Sequence, residues 1–391
     1  MDIVNIIKAR LQRIPPMVWL LMAGTAVACG AYISFATETT DSRQADLRLA
    51  AENDDAEAIA RQAAVRNERA KAGLRAVDAA LTQFPPGQGL TDGRSAALTT
   101  LDTILHEVDA AQLPAVQQFF HRRIDAAAEE MRRAPVRRGA TIWQIYNHGF
   151  VVRTQSATLC FDLVRAKHLR GFALSEQSML KIVQTCDVLF VSHVHADHAE
   201  SFVAQAFIDQ GKPVVAPEQI GYRDALYSKI TQFEPSITEV RTLPVRQGRV
   251  NLRVVVFPGH QGDEIDNNVV LVTTPEGISV AHTGDQWDRW ADFAWIDQVA
   301  QRFRVDILLP NDWTYDLARM VRGFRPALVI PGHANEIGHE TAKRQPYALS
   351  YQRKAGSDRF GGSALSGYAE PMLVLAWGES YHYEPIDTAH R

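Results

Sequence analysis

The sequence predicts an α/β fold in which helices cover β-sheets, set behind a helical segment and a membrane anchor. Two textures and one interruption predict it. From about Asp41 to Arg133 the chain is rich in Ala, Arg, Glu and Gln, which favour helix. After Gly139, short β-branched and aromatic runs alternate with helical stretches, the pattern of a layered sheet-and-helix domain. Between the two lies Ala134-Pro135-Val136-Arg137-Arg138-Gly139, a composition that breaks both kinds of element. The domains expected are therefore 1–36, an anchor or signal segment; 37–138, a helical stalk or bundle; and 139–391, an α/β domain.

The first segment reads as membrane-directed. Lys8, Arg10 and Arg13 precede an uncharged run from Ile14 to Ala36, long enough to cross a bilayer as one helix. Basic residues before it and Glu38 and Asp41 after it put the remainder on the extracytoplasmic, periplasmic side. The run can be a retained anchor. Alternatively it is a signal peptide cleaved after Ala26-Val27-Ala28 or Ser34-Phe35-Ala36, or a lipidation signal at Cys29.

Three apolar stripes mark the helical segment. Leu74, Val77 and Leu81 share a face, and Phe84-Pro85-Pro86-Gly87 ends that helix. Leu98, Leu101, Leu105 and Val108 form a second stripe, and Val116, Phe119, Phe120, Ile124, Ala127 and Met131 a third. The stripes are too short for a long coiled coil, but they offer a face for homo-oligomerisation. In the last domain the strand-like runs are Thr141–Thr154, Ala157–Val164, Val188–Ser192, Pro213–Ala216, Val250–Phe257, Asn268–Thr274, Ile278–His282, Val305–Leu309, Ala327–Ile330 and Met372–Trp377. Ala199–Gln210 and Thr314–Arg322 read as helices between them. Three cysteines, Cys29, Cys160 and Cys186, do not make a disulfide scaffold, and Cys160 reads as a small buried hydrophobe. A net charge of −4 supplies no basic field for nucleic acid, which opposes a nuclease.

The chemistry is concentrated at strand ends. His193-Val194-His195-Ala196-Asp197-His198 follows the run Asp187–Ser192 and packs three imidazoles and a carboxylate into one turn. Imidazole nitrogen and carboxylate oxygen suit zinc and similar divalent ions. His260 follows Phe257-Pro258-Gly259, Asp285 follows Thr283-Gly284, and His333 follows Ile330-Pro331-Gly332. Strand ends beside glycine converge on one rim, so one pocket is expected to gather His193, His195, Asp197, His198, His260, Asp285 and His333. Seven ligands exceed the needs of one tetrahedral ion and suit two ions about 3.5–4 Å apart.

This set resembles the metallo-β-lactamase superfamily, and within it the UlaG-like ascorbate-6-phosphate lactonase group, with kinship to N-acylphosphatidylethanolamine phospholipase D. Tyr146-Asn147-His148-Gly149, Asp162 and Asn267-Asn268 add to the resemblance, which spans roughly Gly139 to Pro385. It implies an αββα sandwich with the site at one edge of two sheets. It implies that His193, His195 and His260 hold one metal, that Asp197, His198 and His333 hold a second, and that Asp285 bridges them. A bridging carboxylate is unlike the β-lactam-hydrolysing members. The implied activity is that of a dinuclear hydrolase: a metal-bridging hydroxide cleaves an ester, lactone or phosphodiester, with Asp197 orienting it and Asp285 essential. Zinc is the first expectation, and manganese or iron suits the same ligands.

Asp162, His282 and His339 are candidates for orienting a ligand or protonating the leaving group. Asp263, Glu264 and Asp266, close after His260, argue mildly against a strongly anionic substrate, or form a solvated loop. Trp287, Trp290, Trp295 and Trp313 either line an apolar pocket or fill the core. The substrate class is a small molecule or a lipid. The alternative that these residues leave open is a non-catalytic, membrane-anchored metal-bound scaffold or partner-binding protein.

Overall fold

Side-chain alternation decides which way each sheet faces. In this computed structural model, residues 57–385 are described, apart from 88–90, 108, 134, 222–223, 288–289, 313, 315, 335 and 338–372. The chain divides into two compact units, Met1–Arg66 and Asn67–Arg391. In the first, the described residues 57–66 are helical. The uncharged run 14–36, Cys29, Trp313 and His339 lie outside the described residues. Among the described residues, no helix is long and apolar enough to cross a membrane.

The second unit opens with helices α1 (67–83), α2 (Asp92–Leu105) and α3 (Pro114–Arg133). Strands β1 (Ala140–Gln144), β2 (Phe150–Arg153), β3 (Thr158–Phe161), β4 (Val188–Phe190) and β5 (Val214–Val215) follow, with α4 (Glu176–Thr185) and α5 (Ser201–Asp209) inserted around β4. A short helix, α6 (Asp224–Tyr227), leads to β6 (Arg241–Val245), β7 (Val250–Gln261), β8 (Ile265–Thr273) and β9 (Ser279–His282). Then come α7 (Trp290–Ile296), α8 (Val299–Arg302), β10 (Ile307–Leu309), α9 (Leu317–Phe324), β11 (Leu328–Val329) and β12 (Ser380–Tyr383). The strands form two six-stranded sheets, ordered β12-β1-β2-β3-β4-β5 and β11-β10-β9-β8-β7-β6.

Period-two alternation sorts the core into three layers. Phe150, Val152, Leu159, Phe161, Val188 and Phe190 of the first sheet meet Leu252, Val254, Val256, Val270, Val272 and Ile307 of the second. The opposite face of the first sheet, with Trp143, Val151, Cys160 and Leu189, is covered by α1 to α5. The opposite face of the second, with Val255, Phe257, Val269 and Leu271, is covered by Trp295, Val299, Met320 and Phe324. The architecture is α/β with the layer order helix, sheet, sheet, helix.

The helical segment, expected as a stalk or bundle, packs on the first sheet. Ala70, Leu74, Val77 and Leu81 of α1, Leu98 and Leu101 of α2, and Val116, Phe119, Phe120, Ile124, Ala127 and Met131 of α3 share one core with the first sheet. Phe120 packs on Trp377 with ring centroids 4.5 Å apart. Arg94 of α2, fully buried, donates to both carboxylate oxygens of Glu379, at 3.1 and 2.5 Å. No break falls at residue 138, because these stripes bury against the sheet. Each large apolar side chain so buried contributes roughly 1.5–3 kcal/mol.

Three further differences are local. The run Thr141–Thr154 is two strands, β1 and β2, split at Ile145–Gly149, where Asn147 takes φ 53° and Gly149 donates to Tyr146 O at 2.7 Å. Residues 373–377 are buried but outside any strand, and β12 instead pairs antiparallel with β1. Strand β6 was not among the expected runs. Only Leu243 and Val245 of its five residues are buried, too little apolar text to stand out.

Cys160 is buried on the helix-facing side of β3, as a small hydrophobe would be, and it is also disulfide-bonded to Cys186, which caps the end of α4. The bond closes a loop of 26 residues. Chain entropy over such a loop corresponds to about 3.5 kcal/mol. A Cys160→Ala/Cys186→Ala double variant is expected to lose about that much in denaturant unfolding. Oxidised and reduced wild-type protein should differ by the same amount, and the double variant should not respond to reductant.

Candidate metal centre

The parallel strands place the site. β3 and β4 are parallel in the first sheet, and β9, β10 and β11 are parallel in the second. Their C-terminal ends lead into Asp162, His193, Asp285, Asn311 and His333 respectively. Parallel ladders leave side chains at their carboxyl ends beside one crevice, the usual ligand position in such sheets.

Close approach of the chain explains the glycines before two ligands. At Gly332 a Cβ would lie 2.1 Å from His148 Cδ2. At Gly284, with φ +51°, it would lie 2.2 Å from Asn267 Oδ1 and 2.4 Å from Ser192 Cβ. Only glycine lets these turns press against the opposite wall.

Six of the seven expected ligands come together. His193, His195 and Asp285 form one group, with ligand atoms all within 4.8 Å of one another. His198, Asp285 and His333 form a second, joined by His148, and Asp197 stands with His333 and Glu336 in a third. Asp285 turns Oδ2 toward His193 Nε2, at 3.7 Å. It turns Oδ1 toward His198 Nε2, at 3.3 Å, and His333 Nε2, at 2.7 Å. His260 joins none of these groups. Its Nδ1 faces Asp292 at 3.0 Å, and its neighbour Gln261 donates to Asp285 Oδ2 at 2.9 Å.

Three of the rings are held by their other nitrogen. His198 Nδ1 donates to Asp162 at 2.7 Å, His193 Nδ1 is 2.9 Å from Ser192 Oγ, and His333 Nδ1 meets Glu336. Asp162 also accepts from Ser192 N at 2.7 Å and Ser192 Oγ at 2.6 Å. Partners of this kind fix the tautomer and leave Nε2 for a metal. His193 Nε2 is buried and has no hydrogen-bond partner.

The charges point the same way. Burial opposes ionisation of Asp285, yet His198 and His333 hold its carboxyl well below the usual range. Burial also opposes charge on His333, but Asp285 and Glu336 raise it to about 10. Burial, helped by His198, pushes His193 down to about 3, so its imidazole is neutral. Four carboxylates, Asp162, Asp197, Asp285 and Glu336, thus surround neutral or cation-seeking nitrogens. The donor set, the convergent Nε2 atoms and the unpaired His193 Nε2 fit divalent ions bound by His and carboxylate ligands.

The remaining candidates separate. Asp162 orients His198. His282 is stacked on Phe161, with Nε2 on His148 O at 3.0 Å and Nδ1 accepting from Gly284 N at 3.2 Å. Both nitrogens are spent inside the wall, so His282 has no proton to deliver to a leaving group. Trp295 fills the core against Phe257, whereas Trp287 and Trp290 are exposed.

Sequence reasoning assigned no site role to several residues that the structure places there. His148 lies fully buried with Nδ1 unpaired, its ring 5.2 Å from that of His333. Glu336 was readable from its place three residues after His333. Asn147 donates to Asp197 Oδ2 at 2.8 Å and Asn311 to Asp285 Oδ1 at 3.1 Å. Asp292, which holds His260, sits on α7 with no local signal.

No family model matches the chain, and no curated protein does. Solved structures show a distant likeness to it. One is Igni18, a metallo hydrolase from the archaeon Ignicoccus hospitalis, with TM-score 0.47 and 17% identity over 63% of this chain and 99% of that one. A possible metal-dependent hydrolase from Veillonella parvula gives TM-score 0.46 and 14% identity over 63% of this chain and all of its own. An isothiocyanate hydrolase from Delia radicum gut bacteria gives TM-score 0.45 and 16% identity, again over 63% of this chain and all of its own.

Proposed function

We propose that this chain is a dinuclear metal-dependent hydrolase of the metallo-β-lactamase superfamily, in its UlaG-like group, cleaving an ester, lactone or phosphodiester. The observation that carries the proposal is the carboxylate of Asp285, which offers one oxygen to the His193–His195 group and the other to the His198–His333 group. That is the arrangement a bridging ligand needs. His193 and His195 would hold one ion, and Asp197, His198 and His333 the other. Divalent metal, zinc first by ligand type, supplies Lewis acidity toward a carbonyl or phosphoryl oxygen and water acidified towards a pKa of about 7.

The chain's own groups do the rest. Asp162, Ser192 and Glu336 keep the ligand rings from rotating. Asn147 fixes Asp197, whose side chain is 25% exposed against 9% for Asp285. Asp197 is therefore the carboxylate placed to accept a proton from incoming water. Two observations support an extracytoplasmic site: the basic-flanked uncharged run at 14–36 and the buried Cys160–Cys186 disulfide, a bond that persists in oxidising compartments.

The test is metal analysis and turnover on one preparation of the full chain. About two equivalents of metal, with hydrolysis of at least one member of an ester, lactone and phosphodiester panel, is expected. Chelation should abolish the activity and metal return should restore it. Metal-replete protein that cleaves none of the panel would overturn the reading.

A further inference from the structure

We infer that the cavity beside His260 binds the non-reacting part of the substrate, and that this part carries a cationic ammonium group. The inference rests on the hydrolase reading above and adds the substrate's charge to it.

Strand register builds the cavity. His260 pairs with Asp266 and Pro258 with Asn268 across β7 and β8. In both strands the even positions continue the inter-sheet face of Val254, Val256, Val270 and Val272. Past the point where that core ends, the same face opens into a cavity of about 640 Å³ whose lining includes His260, Asn268, Phe233, Glu218, Glu234 and Asp266. Asn268 also ties the cavity to the metal centre, because its N–H donates to Ser192 O at 2.8 Å, immediately before His193. Gln219 braces the mouth: its side chain accepts from Asp266 N at 3.1 Å and donates to Glu264 O at 3.3 Å.

Two independent features point to a ligand. Asn268 is 3% exposed, yet its Nδ2 has no hydrogen-bond partner. A buried amide donor left unmade is costly, and an acceptor oxygen of a bound molecule would satisfy it. Around the mouth, Glu218, Glu234 and Asp266 are exposed carboxylates. Arg241 also lines the cavity, with one guanidinium nitrogen 2.6 Å from Glu239 and its Nε buried without a hydrogen-bond partner, but Glu218, Glu234 and Asp266 outnumber it, so the local balance stays negative. Half-buried Phe233 adds an aromatic wall, which suits a quaternary or primary ammonium. The ligand is thus an acceptor oxygen near Asn268 joined to a cation at the mouth, and an anionic group there is repelled.

The experiment uses the full chain, metal-loaded, with three p-nitrophenyl esters of equal length. Their acyl chains end in trimethylammonium, the isosteric tert-butyl group or carboxylate. Expected kcat/KM falls in that order, with a cation-to-anion ratio on the order of 30-fold at low salt and only about 3-fold at 0.5 M NaCl. A Glu218→Gln/Glu234→Gln/Asp266→Asn variant should bring the ratio near one. Equal rates for cation and anion, or a ratio retained in the variant, overturn the inference. Calorimetric titration with the free trimethylammonium, tert-butyl and carboxylate acids' amides reads the same preference without cleavage. If no ester is cleaved but the cation still binds best, the pocket's selectivity stands, and the hydrolase reading fails only if the lactone and phosphodiester panel is not cleaved either. If esters are cleaved without charge preference, the reverse holds.

Discussion

Asp285→Asn is expected to lower hydrolysis by on the order of 10³-fold or more and to cut bound metal from about two equivalents to one or fewer. Both carboxylate oxygens are committed: Oδ1 to His198, His333 and Asn311, Oδ2 to His193 and Gln261. An asparagine keeps the shape but must turn an amide N–H₂ toward one of two side-chain donors, Gln261 Nε2 or Asn311 Nδ2. It also removes the charge that would link two cations. The folded state should survive, since His198 and His333 can release their protons when the carboxylate is gone, which limits the unpaired charge left behind. The measurement is metal content, turnover and circular dichroism on one sample. Wild-type metal content in this variant would show that Asp285 does not join the two groups.

The motifs of the His and carboxylate cluster are legible because each one is local: an H-x-H-x-D-H turn, and Gly before Asp285 and His333. Their convergence was legible because each follows a strand-like run. What sequence could not supply is the partner across space. A stripe such as Val116, Phe119 and Phe120 says that a face is buried and not against what, so α1 to α3 read as a stalk or bundle, and their shared core with the first sheet is not legible. His148 stands inside an apparently continuous β run, and only the turn at Asn147 and Gly149 brings it under Gly332. His260 carries the same Gly-His signature as His333, and a carboxylate holds its Nδ1 in the same way, yet it joins none of the His and carboxylate groups, and no local pattern foretells that. The pairing of Cys160 with Cys186 was equally invisible, because strand and helix end meet only through the β3–α4–β4 connection.

Asp162 gives the sharpest separation between holding the fold and tuning the metal. It is fully buried with φ 45°, and it accepts three hydrogen bonds: from Ser192 N, Ser192 Oγ and His198 Nδ1. Burial works against its charge, but His198 and His282 together with those hydrogen bonds keep its carboxyl below the ordinary range. Asp162→Ala leaves three buried donors without an acceptor and puts a Cβ-only residue in a left-handed conformation. A loss of about 3–5 kcal/mol in unfolding free energy is expected. Asp162→Asn behaves differently. Asparagine tolerates φ 45°, its Oδ1 still accepts from Ser192 N, and Ser192 Oγ can accept from its amide in place of donating. His198 Nδ1 then faces a donor and must become an acceptor, which moves the ring proton to Nε2, the atom that faces Asp285. The asparagine variant is therefore expected to keep most of the stability while metal affinity falls about 10- to 100-fold. Denaturant unfolding reads the first quantity, and competition with a chelator of known affinity reads the second. Wild-type metal affinity in Asp162→Asn would mean that the tautomer of His198 is not set by this carboxylate.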